Sequence, residues 1–343
     1  MSRAPIVTDA LVIGAGPVGL WQVFQLGLQD IRCEVVDALP HVGGQCVELY
    51  GDKPIYDIPG TVCCSGRELI AQLQHQIQPF APGLHLGQRV RTLVREDDGR
   101  FHLHTDHGQA FLARSVFIAA GVGAFEPRRL SVEGAAALEG QQLHYHLDAP
   151  HTFAGQAVCV LGGDEAAVDA ALRLHAAGAQ VTLVHRRDQF QASAALLEAL
   201  QQQRAQGAVA VCIGQPTALA RTPEGQVALA LATPEGQTLQ LHTAHVVALL
   251  GVSPKLGPIA EWGLAMARKQ LVVQADSFAT DVPGVFAVGD INTYPGKKKL
   301  ILCGFHEATL AAFAAAELLY PERKVPLQYT TTSSALHRLL GVA

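Results

Sequence analysis

The chain has 343 residues, 49% apolar and 16% charged, a balance that excludes a disordered chain and suits two domains of ordinary size. A formal net charge of −5 argues against a nucleic-acid partner, which needs a basic face. No run reaches the roughly 18 uninterrupted apolar residues of a membrane helix, and the N-terminus lacks a basic start, an apolar core and a cleavage site, so the expectation is a cytoplasmic protein with no membrane contact.

Residues 11–13 form a short apolar strand that runs into Gly14-Ala15-Gly16-Pro17-Val18-Gly19. A helix over 20–28 and a second strand over 33–36 follow, ending at Asp37. Residues 88–112 alternate around Asp97-Asp98-Gly99, a hairpin pattern, and a strand over 116–120 meets Gly121. A second copy begins at the strand 157–161, turns through Gly162-Gly163-Asp164-Glu165-Ala166-Ala167, and continues as a helix over 168–177. Its next strand, 181–184, ends on His185-Arg186-Arg187. Another hairpin, 227–241, and a strand over 246–250 complete that copy. Residues 285–288 then lead into Gly289-Asp290, and a helix spans 307–319. The repetition predicts an α/β protein of two Rossmann-like nucleotide-binding domains with three-layer ββα architecture, the second inserted in the first. The boundaries fall at residues 1–121, 122–251 and 252–343.

In the first turn Gly14 permits the tight bend, Gly16 lets the backbone approach a pyrophosphate, and Gly19 lets helix and strand pack closely. Asp37 stands where a carboxylate accepts hydrogen bonds from both ribose hydroxyls and repels a 2′-phosphate, so this site suits FAD or NAD. At the equivalent strand end of the second copy, Arg186 and Arg187 suit a 2′-phosphate, which points to NADPH. Asp164 stands where the middle glycine is expected: either the turn is shifted or NADPH binds less tightly. Gly43-Gly44-Gln45 can pass close to a flavin, and Tyr50 or Tyr56 can stack on one.

Together with Tyr56-Asp57-Ile58-Pro59-Gly60, Gly121-Val122-Gly123-Ala124-Phe125-Glu126-Pro127-Arg128, Leu143-His144-Tyr145, His185-Arg186-Arg187-Asp188, Leu256-Gly257-Pro258-Ile259 and Phe286-Ala287-Val288-Gly289-Asp290-Ile291, these stretches make the chain resemble the thioredoxin-reductase-like ferredoxin/flavodoxin–NADP reductases over nearly its whole length. The resemblance implies a homodimer, FAD in the first domain, NADPH in the second, and a ferredoxin or flavodoxin as electron acceptor. It implies FAD contacts at Gly14, Gly16, Pro17, Gly19, Asp37, Gly44, Gln45, Tyr50, Val90, Phe125, Asp290 and Thr331, with Tyr50 and Tyr329 as stacking rings on the two flavin faces. For NADPH it implies Gly162, Gly163, Asp164, Glu165, Ala166, His185, Arg186 and Arg187. Departures are Asp164 for a glycine, Gln191 where an arginine often supports the phosphate, and Gln328-Tyr329 in place of a histidine-containing tail.

The reaction implied is hydride transfer from NADPH to flavin N5, with no side chain acting as acid or base. A disulfide reductase is the closest rival, and the seven cysteines disfavour it: Cys33, Cys46, Cys63, Cys64, Cys159, Cys212 and Cys303 contain no Cys-x-x-Cys, and Gly51 stands where a partner for Cys46 would be needed. They are expected to be reduced thiols, with no metal site. Other acceptors (a quinone or free flavin) and a flavin-bound sensor with little turnover stay open. Lys297-Lys298-Lys299 is a possible landing surface for an acidic partner, or an ordinary solvated loop.

Overall fold

A computed structural model describes residues 4–147, 149–323 and 329–342. The chain forms two compact units, residues 1–124 with 254–343, and residues 125–253. The first unit opens with β1 (Ile6–Ile13), whose last four residues are all buried, as a central strand covered on both faces requires. α1 (Pro17–Leu28) begins at Pro17 rather than Leu20, because proline's missing N–H costs nothing in a first turn and its fixed φ favours the helix. β2 (Cys33–Val36) lies parallel to β1 with Val36 beside Ile13. After the short α2 (Gln45–Glu48) comes α3 (Gly66–Ile77), started by a reciprocal cap in which Ser65 Oγ accepts from Glu68 N and the Glu68 carboxylate accepts from Ser65 N at 2.7 Å. β3 (Gly83–His85), β4 (Val90–Arg95), β5 (Phe101–Thr105) and β6 (Ala110–Ile118) complete a sheet of order β3-β2-β1-β6-β5-β4. β3, β2, β1 and β6 are parallel, whereas β4, β5 and β6 form an antiparallel meander that contains the hairpin expected around Asp97-Asp98-Gly99.

The second unit contains β7 (Leu143–His144), β8 (Ala157–Leu161), α4 (Glu165–Ala176), β9 (Gln180–His185), α5 (Ala194–Ala205) and β10 (Val209–Ile213). A meander of β11 (Gln215–Arg221), β12 (Val227–Ala232) and β13 (Thr238–Thr243) precedes β14 (His245–Ala248). The main sheet is parallel, in the order β7-β14-β8-β9-β10. Its two faces bury different partners. Cys159 and Leu161 pack with Leu219, Val227, Leu229 and Leu231 of the meander. Val158 and Val160 pack with Val168, Ala171 and Leu174 of α4. Alternation along β8 therefore produces the three layers: meander, parallel sheet, helices.

On its return to the first unit the chain adds β15 (Val285–Ala287) beside β6, with Phe286 opposite Phe117 and the rings stacked at 4.9 Å and 12°. α6 (Ile301–Leu319) begins at Ile301 rather than Glu307, since Gly304 lets it lie against α1: a Cβ there would come within 2.4 Å of the Val18 side chain. Trp21 Nε1 and Gln22 Nε2 donate to the carbonyls of Phe305 and Ala308, each at 3.1 Å, tying α1 to α6. Among the described residues α6 is the helix long and apolar enough to cross a membrane. Its Ala308, Ala311, Ala312, Ala315 and Ala316 are instead buried in the protein. A last helix, α7 (Ser334–Leu339), is capped by Ser333, whose Oγ accepts from Leu336 N at 3.3 Å.

Candidate functional site

The first glycine turn joins β1 to α1. Gly14 has φ +114°, and a Cβ there would lie 2.4 Å from the Ala119 carbonyl oxygen, so only glycine fits. A Cβ on Gly19 would meet the Gly14 carbonyl oxygen at 1.9 Å. At Gly16, the N-cap of α1, the same test finds nothing within 4 Å and no side chain caps the helix. The turn is therefore closed on its protein side and open in front of Gly16, with the helix's first N–H groups directed that way, which is the shape a pyrophosphate requires.

Asp37 follows β2 and folds onto this turn, its carboxylate accepting from Ala15 N at 2.5 Å and Leu39 N at 2.8 Å. Burial holds its carboxyl above the ordinary carboxylate range, against the smaller downward pull of the two amides. Gly44 also approaches: a Cβ on it would stand 3.3 Å from the Gly16 Cα. Gln45, next in the chain, donates from Nε2 to Asp290 Oδ2 at 3.4 Å. Cys46 Sγ and Tyr50 Oη lie 3.5 Å apart, and burial raises both groups above their ordinary values. The fold thus gathers Gly14, Gly16, Pro17, Gly19, Asp37, Gly44, Gln45 and Asp290 in one region, with Tyr50 on the helix-end segment that follows Gln45.

Val90, Phe125, Tyr329 and Thr331 complete the expected set. Val90 is buried in the core at the start of β4. Phe125 is in a strand over Ala124–Pro127, and its side chain lies outside the described residues. Tyr329, 66% exposed, and Thr331, also exposed, neither hydrogen-bond nor stack with Tyr50, Gln45 or Asp290. Tyr56, the alternative ring, is 70% exposed. Gln328 lies outside the described residues.

A buried network that the sequence did not announce holds the Gly289-Asp290 loop. Glu307 is 0% exposed and accepts from Gly289 N at 2.7 Å, Asn292 Nδ2 at 2.8 Å, Tyr294 Oη at 3.0 Å and Lys297 Nζ at 2.5 Å. Lys297 Nζ donates also to the Gly289 carbonyl at 2.8 Å. Gln270 Nε2 bonds the carbonyls of Asp290 and Asn292 at 3.1 and 2.7 Å. These contacts fix the loop's backbone from behind and leave the Asp290 carboxylate facing Gln45. Lys297 is thereby withdrawn from the surface cluster, and only Lys298 and Lys299 stay exposed. The available signal was an acid spaced four and eight residues before Ala311 and Ala315, on the alanine face of that helix, where it must find a buried partner.

The turn in the second unit repeats backbone hydrogen bonds of the first. Gly14 N donates to Val36 O at 2.8 Å, and Gly162 N to Val184 O at 3.0 Å. Gly43 N donates to Ala15 O at 2.9 Å, and Gln191 N to Gly163 O at 2.8 Å. The turn is therefore not shifted, and Gln191 is the counterpart of Gly43. The cap of α4 is Asp164, whose Oδ1 accepts from Ala167 N at 3.1 Å. Glu165 and Ala166 occupy the first, exposed turn of that helix.

A cavity of about 830 Å³ opens over this turn, lined by Gly163, Asp164, His185, Arg186, Arg187 and Phe190 among others. The His185 ring sits under Gly163, where a Cβ would meet it at 2.3 Å, and burial with the two arginines lowers its affinity for a proton. Arg186 and Arg187 are exposed and form no ion pair among the described residues. The neighbouring acid, Asp188, is instead bound by both terminal nitrogens of Arg204, at 2.7 and 3.0 Å. Two unengaged guanidinium groups thus stand at the end of β9, where the first unit has a carboxylate.

A model of the family described as pyridine nucleotide-disulphide oxidoreductase matches residues 50–289. A ferredoxin--NADP reductase of Acidovorax sp. (strain JS42) is 60% identical, over 100% of this chain and 98% of its own. Another, from Verminephrobacter eiseniae (strain EF01-2), is 57% identical over 98% of each chain. Among solved structures, thioredoxin reductase of T. acidophilum has a TM-score of 0.56 at 19% identity, covering 91% of this chain and 99% of that one. Bacillithiol disulfide reductase from Staphylococcus aureus has a TM-score of 0.59 at 16% identity, covering 93% and 100%. These two likenesses show the fold. The sequence relatives show more: the chain belongs to the pyridine nucleotide-disulphide oxidoreductase family and, within it, to the ferredoxin–NADP reductases, flavoprotein oxidoreductases that use FAD and NADP(H).

Proposed function

We propose that the first unit holds FAD on the Gly14–Gly19 turn, Asp37, Gly44, Gln45 and Asp290, that the second holds NADPH against Arg186 and Arg187, and that electrons pass to ferredoxin or flavodoxin. The observation that carries this reading is the pair of matching turns with opposite charge at the ends of β2 and β9. An Asp37 carboxylate accepts ribose hydroxyls and repels a 2′-phosphate, whereas paired guanidinium groups attract one. Bound flavin supplies the chemistry that turns one two-electron donor into two one-electron deliveries. The chain's part is to bind and orient: the open cap at Gly16 receives the pyrophosphate, Gln45 and Asp290 meet the region between ribityl chain and ring, and Tyr50 offers a ring for stacking. Tyr329 and Thr331, carried on the tail, are proposed for the other face.

Disulfide chemistry does not fit the thiols. All seven cysteines are free. Cys159 is buried and held protonated by that burial, and Cys46, whose Sγ lies 3.5 Å from the Tyr50 hydroxyl, is likewise pushed up by burial. The relatives' name supports ferredoxin as acceptor, and a cytoplasmic homodimer is part of the same proposal. Anaerobic stopped-flow mixing with NADPH, and separately NADH, tests the core of it. Flavin bleaching by NADPH should be faster by at least about tenfold, followed by reoxidation with ferredoxin or flavodoxin. Equal bleaching by both nucleotides would remove the role assigned to Arg186 and Arg187.

A further inference from the structure

Among the positions at which the two turns differ is the helix cap, Gly16 in the first and Asp164 in the second. Gly16 has φ −73° and ψ −179°, and Asp164 has φ −94° and ψ 179°. This is extended backbone that any residue adopts, so neither cap needs glycine for its own conformation. What differs is the space in front of the helix. At Gly16 it is open, with nothing within 4 Å of a Cβ. In the second unit it receives the Asp164 side chain. One carboxylate oxygen accepts from Ala167 N at 3.1 Å, and the other points toward Gly251, whose Cβ would lie 3.9 Å away. The α4 N-terminus is the place where a dinucleotide pyrophosphate would take the same N–H groups and the same positive end of the helix. Asp164 lines the cavity together with Arg186 and Arg187, so carboxylate and guanidinium groups act on one ligand.

We propose that Asp164 is a built-in competitor of the pyrophosphate: capping the helix, it holds a negative charge where the pyrophosphate would lie, and this charge lowers the affinity of the second unit for every pyridine dinucleotide alike. The inference rests on the reading of this unit as the NADPH site. Selectivity then follows from two separate devices. The carboxylate weakens NADPH and NADH by the same factor, because both carry the pyrophosphate. Arg186 and Arg187 restore affinity only to the nucleotide with a 2′-phosphate. NADH falls below a useful affinity without any group aimed against it, and NADP+ leaves more readily after the reaction.

The test uses flavin-loaded protein and the oxidised nucleotides NADP+ and NAD+, which leave the flavin oxidised, with Kd measured by calorimetric titration at low and high salt. Asp164→Asn keeps the cap, since the amide oxygen still accepts, and removes the charge. The inference requires both Kd values to fall by about tenfold at low salt, their ratio unchanged, and the gain to shrink as salt rises. Asp164→Ser, which also caps without charge, should behave in the same way. Thermal denaturation of each variant checks that α4 is retained. If NADP+ binds the natural protein and neither variant tightens it, or if only NADP+ tightens, this inference fails and the site assignment stands. If neither nucleotide binds the natural protein or the variants, the assignment itself fails and the inference with it. Binding that emerges only in the uncharged variants would support both.

Discussion

At the end of β2 the adenosine ribose would meet one carboxylate, and at the end of β9 two guanidinium groups. The consequence can be measured at single residues. If the arginines hold the 2′-phosphate as proposed, replacing both (Arg186→Ala and Arg187→Ala) removes charge-assisted bonds each worth about 1.5–3 kcal/mol. NADPH should then bind at least about tenfold more weakly, with NADH unchanged, in an equilibrium titration. A parallel loss for NADH would mean that the arginines hold the structure rather than the phosphate. Asp37 and the arginine pair were readable in the sequence because each ends a strand that follows a glycine turn. The cap geometry of Asp164 was not, because an acid in a glycine motif has the same letter whether it distorts the turn or caps the helix.

α6 carries the largest departure from sequence reasoning at the scale of an element. Its alanines suggest a packed helix, but its Glu307 anchors the Gly289-Asp290 loop through Lys297, Tyr294 and Asn292. The Lys297–Glu307 pair is almost completely sheltered, with side chains 8% and 0% exposed. Removing one partner of such a pair leaves a buried charge alone and costs about 3–5 kcal/mol. Glu307→Ala should therefore lower the unfolding free energy by about that amount in urea titration. It should also release flavin more readily, as followed by flavin fluorescence. Stability at the natural level would show that the network is dispensable. In the sequence Lys297 reads as one of three surface lysines, since nothing local says that Gly296 and α6 fold it inward.

Two units with separate apolar cores, one of them a continuous stretch, lead to a prediction for the molecule as a whole. A fragment of residues 125–253 should fold alone, because its parallel sheet is covered on both faces by its own residues. It should bind NADPH without flavin. Its stability should depend on pH through His144, His185 and His245. Burial lowers the proton affinity of all three, with the arginines adding to the effect at His185 and His144 adding at His245. For a depressed histidine the unfolded chain binds the proton first. Stability is therefore full above the unfolded value of about 6.5 and declines as pH falls below it. Urea midpoints at pH 7.5 and 5.5 check the sign; a higher midpoint at pH 5.5 would contradict it.

The sequence alone determined the α/β class, the duplication, the insertion of one nucleotide unit in the other and the contrast between Asp37 and Arg186-Arg187. These follow from local rules: glycines where φ is positive or packing leaves no room for Cβ, apolar runs of strand length, and charge at a strand end. Only the tertiary structure decided that α6 starts at Ile301, that the second turn is unshifted with Asp164 as its cap, and that Lys297 is buried on Glu307. Each depends on a partner distant in the chain: α1 against α6, Gln191 against Gly163, and a lysine against an acid across the Gly289-Asp290 loop. Such contacts carry no periodicity or spacing that a linear reading can use, because they exist only once the chain has closed.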